Sequence, residues 1–157
     1  MARRTSTAGH FPARQFTVSG SLAAAVDTAT AALVRQGYRV NGSASAPPVV
    51  LEYGSLFGEL LFGTLNLSIL PGTIGKHAFA VVDAVDNGDD TGVMTMAFVT
   101  GANASGTVVT AAADTLAALA AAEVLLDAGS PMSAFDLPES SVAHPAGFRR
   151  FRASAGR

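Results

Sequence analysis

Three histidines and no cysteine set narrow limits on the chemistry this 157-residue chain can perform. Without thiols there is no disulfide, thiolate zinc site, iron–sulfur cluster or cysteine nucleophile. His10, His77 and His144 lie far apart and form neither an HxxxH nor an HExxH spacing. A histidine metal site is therefore not expected, and His77 reads as a strand-end residue. Ser55 follows Gly54, but the Gly-x-Ser-x-Gly elbow of a serine hydrolase is absent, which leaves Ser55 as a turn or strand-end serine. Gly72-Thr73-Ile74-Gly75-Lys76-His77 has the end of a phosphate loop, yet Leu70 stands where its first glycine belongs and His77 where Ser or Thr would hold magnesium.

The remaining candidates are charge clusters and one glycine-bounded loop. Gly101 to Thr107 (GANASGT) sits between a strand pattern and a helix start, where free amides can face an anion. It has no lysine, and helix capping by Ser105 or Thr107 accounts for it. Asp86, Asp89 and Asp90 crowd one turn. In an EF-hand register ending at Gly88, however, the third ligand position is Val85 and the twelfth is Met94, so a solvated acidic hairpin is the expectation. Arg3-Arg4-Thr5-Ser6 and the run Arg149, Arg150, Arg152 near Ser154 are basic clusters with hydroxyls close by, and the second is able to meet acidic lipid, RNA or the acidic body of this or another copy of the chain. Their plainer reading is a pair of solubilising tails.

Positioning any of these groups requires a frame, and hydropathy gives one. Gln15 to Val18 alternates as a short strand. In SLAAAVDTATAALVRQG, Leu22, Val26, Ala29 and Leu33 fall on one helical face, with Gly37 as the stop. Tyr38 to Ala44 and Val49 to Tyr53 read as strands either side of Pro47-Pro48. His77 to Val85 and Val93 to Val99 read as a hairpin around Asn87-Gly88. TVVTAAADTLAALAAAEVLLDAG is the longest helix pattern, with Val109, Ala113, Leu116, Ala120 and Val124 on its apolar side and Gly129 and Pro131 at its end.

The most apolar stretch, YGSLFGELLFGTLNLSIL from Tyr53 to Leu70, carries one formal charge, Glu59. Leu65, Leu67 and Ile69 alternate with Thr64, Asn66 and Ser68, a strand period and not that of a membrane helix, which needs ~20 continuous apolar residues. No transmembrane segment is expected. The order β-α-β-β-β-β-β-α predicts an α+β fold, an antiparallel sheet with two helices packed on one face.

Residues 1–14 read as a disordered basic arm, 15–129 as a single α+β domain, and 130–157 as a flexible Pro/Ser-rich tail with a basic end. Between the arginines of the two ends, three cations stand against twelve acids, a formal −9. An acidic body is the wrong partner for nucleic acid. The basic start is not followed by the apolar run of a secretory signal, so a cytoplasmic protein is expected.

This element order resembles the β-α-β(4)-α arrangement of TATA-box-binding-protein-like and helix-grip folds. Separately, VVLEYGSLFGELLFG, followed by a strand, a hairpin and a last helix, is similar to small uncharacterised actinobacterial proteins with a Tyr/Phe-Gly-Ser…Leu…Gly pattern, a likeness spanning Gln15 to Gly129. Both resemblances imply a fold and no activity.

No acid/base pair, metal set or nucleophile constellation appears, which ranks an enzyme below two other classes. The leading expectation is a non-enzymatic module, without cofactor, that binds a small apolar molecule or lipid at Leu56, Phe57, Leu60, Leu61 and Phe62. The alternative is an interaction protein, a homodimer or partner binder, using the same apolar residues.

Overall fold

Ser21 begins the first helix as the spacing predicts. Its hydroxyl accepts the Ala24 amide at 3.1 Å, and helix α1 (Leu22–Arg35) buries Ala25, Val26, Ala29, Ala32 and Leu33. At Gly37 the backbone turns with φ 101°, a conformation that a Cβ disfavours, and the chain leaves as a strand. The structure, a computed structural model, describes residues 11–42, 46–54, 77–101 and 104–155. The strand expected over Thr64 to Ile69 lies outside them.

Seven strands form one antiparallel sheet: β1 (Pro12–Ser19), β2 (Tyr38–Val40), β3 (Val49–Tyr53), β4 (Ala78–Asp86), β5 (Thr91–Thr100), β6 (Leu125–Asp127) and β7 (Met132–Ser133). Their spatial order is β2-β3-β4-β5-β1-β6, with β7 also beside β1. The β4–β5 hairpin turns at the acidic cluster. There Asp86 accepts the Gly88 amide at 2.7 Å, and Asp89 accepts both the amide and the hydroxyl of Thr91. These carboxylates are occupied in building the turn. Among the described residues no group of acids and histidines is arranged to hold a metal.

Alternation along the strands sends Phe16, Val18, Leu51, Ala80, Val82, Met94, Met96 and Phe98 to one face, where α1 and α2 (Ser105–Ala121) cover them. The α+β class and the placement of these two helices agree with the sequence. The buried face of α2 does not. Val108, Ala111, Ala112, Thr115 and Leu119 point inward, while Val109, Ala113 and Ala120 face solvent. The helix carries a single charge, Asp114, so apolar residues surround it and more than one stripe fits the helical period. It also ends earlier than expected. Glu123 adopts φ 58°, and Leu125–Asp127 pair with β1 as β6 instead of extending the helix to Gly129.

The largest correction is on the opposite face. Residues 132–155 are not a flexible tail: β7 joins the sheet beside β1, and a 3₁₀ turn (Ala134–Asp136) and helix α3 (Pro145–Ala155) follow it, packing beneath the sheet. Ala134, Leu137, Ala143 and Phe148 join Ala13, Val50, Phe79, Val81, Ala97 and Val99 in a second apolar cluster. Local chemistry explains why the chain orders here. Ser133 and Asp136 form a reciprocal capping box, and His144 Nδ1 accepts the Ala146 amide at 3.0 Å just ahead of Pro145. Gly147 lets the helix approach the preceding turn, where a Cβ would collide with the Ser141 carbonyl oxygen. At the other end, Pro12–Arg14 belong to β1 and not to a disordered arm.

Tyr38 ties β2 to α2, its hydroxyl 2.8 Å from Thr107 Oγ1. Burial pushes the phenol up to about 12, with the Thr107 hydrogen bond opposing that shift and Tyr53 adding to it. A group raised in the folded state favours folding while neutral. This contribution is therefore whole below the unfolded value near ~10 and disappears as pH rises through the folded value. Denaturant titrations at alkaline pH are expected to show stability falling across that window, with Tyr38→Phe flattening the fall. An equal slope in both proteins would remove Tyr38 as its source.

Candidate binding site

Among the described residues Glu52 is the one buried carboxylate, and it lies on the α3 face of the sheet. Glu52 alternates with Leu51 and Tyr53 on β3, placing it on the same side as Val50, and its register partner on β4 is Phe79. It is 8% exposed. Both oxygens are engaged: Asn41 Nδ2 donates to Oε2 at 2.9 Å, and His77 Nε2 lies 2.5 Å from Oε1. A carboxylate only accepts, so the Asn41 amide nitrogen and the His77 Nε2–H must face it. His77 is thus held at the start of β4 by an acid from β3, in keeping with its reading as a strand-end residue.

The His77 ring meets the Phe79 ring edge-on at 4.8 Å, and Phe79 packs against Phe148 of α3 at 5.4 Å. The guanidinium of Arg152 covers Phe79, its Cζ 4.4 Å from the ring centroid and 6.0 Å from that of Phe148. A cation over an aromatic face is held without using its N–H donors. Among the described residues Arg152 has no carboxylate within ion-pair distance and no hydrogen-bond acceptor.

Arg152 separates two depressions. The first, about 440 Å³, runs between the β2–β3 connection and α3 and is lined by Asn41, Ala46, Pro48, Val50, Phe151 and Ala155 with Arg152. The second, about 380 Å³, is bounded by Thr100, Phe148, Arg149 and Ala153 together with Arg152. The first therefore offers apolar walls and one amide and the second a basic rim, with a fixed cation between them.

Leu56, Phe57, Leu60, Leu61 and Phe62, the site expected from sequence, lie outside the described residues. His10 does too. His144 is structural, capping α3 and packing edge-on against Phe135 at 5.6 Å. Neither Ser105 nor Thr107 caps α2. The cap position is Ala104, which has no side-chain bond, and Thr107 Oγ1 instead donates to the Ala104 carbonyl oxygen at 2.5 Å while meeting Tyr38. Sequence reasoning missed Asn41, Glu52 and the placement of Arg152. The spacing Phe148-x-x-Phe151 beside Arg152 was the available sign that the basic run is one turn of an amphipathic helix.

No described helix is long and apolar enough to cross a membrane. Comparison with models of protein families, with curated proteins and with solved structures finds no match for the chain.

Proposed function

We propose that the protein is a non-enzymatic binding module whose α3 face receives a small, mainly apolar ligand carrying one anionic group. The observation that carries this reading is Arg152, a cation fixed over Phe79 at the edge of an apolar groove and unpaired among the described residues. An apolar cleft with a few convergent polar groups is the usual form of a small-molecule site. His77 and Glu52 stand apart from any catalytic arrangement: among the described residues no hydroxyl or second imidazole hydrogen-bonds His77. Their pairing holds β3 to the start of β4 beside the groove. The alternative of a homodimer or partner binder built on residues 55–62 rests on residues outside those described.

Calorimetric titration of the full chain with decanoate and with decanol tests the reading. Decanoate is expected to bind more tightly than the alcohol. Arg152→Gln is expected to weaken decanoate by about tenfold or more, the scale of one charge-assisted hydrogen bond. Equal decanoate affinity in the variant would reject the site.

A further inference from the structure

We infer that the ligand's anionic group is a phosphate, held by Arg149, Arg152 and Thr100 in the second depression while the apolar body crosses Arg152 into the first. This rests on the binding reading above and narrows it to a class of ligand, a phosphate monoester of an apolar chain.

Three observations lead there. The first is how the three arginines of α3 divide. Arg150 donates to the Glu139 carbonyl oxygen and so fastens α3 to the turn before it. Arg149 and Arg152 have no acceptor among the described residues, and both border the second depression. They are three residues apart on one helix, which makes them surface neighbours. Two neighbouring guanidinium groups favour an anion placed between them.

The second is the count of donors and acceptors. A phosphate monoester carries about −1.5 to −2 charges at neutral pH and three terminal acceptor oxygens. Two guanidinium forks and the hydroxyl of Thr100, at the end of β5, supply matching donors. A carboxylate has two oxygens, and one bidentate arginine satisfies it. It would leave the second cation unpaired.

The third is continuity. Arg152 lines both depressions, so a headgroup seated on it has apolar surface immediately alongside, formed by Pro48, Val50 and Phe151. Inorganic phosphate uses none of that surface. A phosphate bearing an apolar chain uses both depressions. Among the described residues no acidic side chain lines either of them, although the body of the chain between its basic ends is strongly acidic.

The test compares decyl phosphate, decanoate and inorganic phosphate by calorimetry at low salt on the full chain, with Arg149→Gln, Arg152→Gln and Arg150→Gln. Decyl phosphate is expected to bind about tenfold or more tightly than either other probe, since it alone uses both the charged and the apolar parts. Arg149→Gln is expected to remove about tenfold of the decyl phosphate affinity and leave decanoate unchanged, while Arg152→Gln weakens both. Arg150→Gln should leave all three affinities unchanged. The phosphate monoester, with a second pKa near ~6, should also bind more tightly as pH rises from 5 to about 7.5.

Decyl phosphate and decanoate binding alike, or Arg149→Gln weakening both equally, would overturn the phosphate assignment and leave the groove standing. Inorganic phosphate binding as tightly as decyl phosphate would overturn the joined site. Failure of both decyl compounds to bind would take the binding reading down as well.

Discussion

Phe148→Ala is expected to destabilise the protein by ~3–5 kcal/mol, the usual cost of removing a buried phenyl ring. Phe148 is 1% exposed and reaches from α3 to Phe79 and the second apolar cluster. Ala13, Ala97, Ala134 and Ala143 of the same cluster are too small to fill the resulting void. For a domain of this size the loss corresponds to a melting temperature lower by roughly 10 °C. Deleting residues 132–157 should cost at least as much, because it uncovers Val50, Phe79, Val81 and Val99 together. Thermal denaturation followed by circular dichroism reads both. A truncated protein that melts with the full chain would place α3 off the sheet, and the groove on its flank would go with it.

How much of this was legible before the structure depends on whether a segment's signal is local or relational. α1 has a serine cap, an apolar stripe and a glycine stop, all within one short window, and it forms where those signs point. The β4–β5 hairpin is equally self-contained, since Asp86, Asn87 and Gly88 carry the turn chemistry themselves. By contrast, α3 is only eleven residues long and contains Pro145, Gly147 and three arginines. Its stability comes from Phe79 and Val50 opposite it, residues far away in sequence, so composition alone suggested a tail.

The candidate site was hidden for the same reason. Asn41, Glu52, His77 and Arg152 sit on four separate segments, and no spacing rule connects them. What was visible was an exception: a glutamate inside the otherwise apolar strand Val49–Tyr53, beside a strand that begins with histidine. A charged residue in a strand buried along its length needs a partner, and His77 is a partner that pairing of β3 with β4 brings within reach.

Leu119→Asp should prevent folding or cost several kcal/mol, while Val109→Asp should change stability by no more than about 0.5 kcal/mol. Both substitutions place a carboxylate on α2, and both residues looked equally apolar in the sequence. Leu119 is 2% exposed and packed among the side chains between the helices and the sheet, whereas Val109 is 56% exposed. A buried carboxylate there has no described cation to meet, and its desolvation is uncompensated. At Val109 the same group stays in water. The pair reads the rotation of the helix directly, because one residue of slip turns a helix by 100° and exchanges an inward position for an outward one. Urea denaturation of both variants decides it. If Val109→Asp proves the damaging substitution and Leu119→Asp folds normally, α2 presents the face containing Val109, Ala113 and Leu116 to the sheet, and the burial of Thr115 and Ala111 assigned above is wrong.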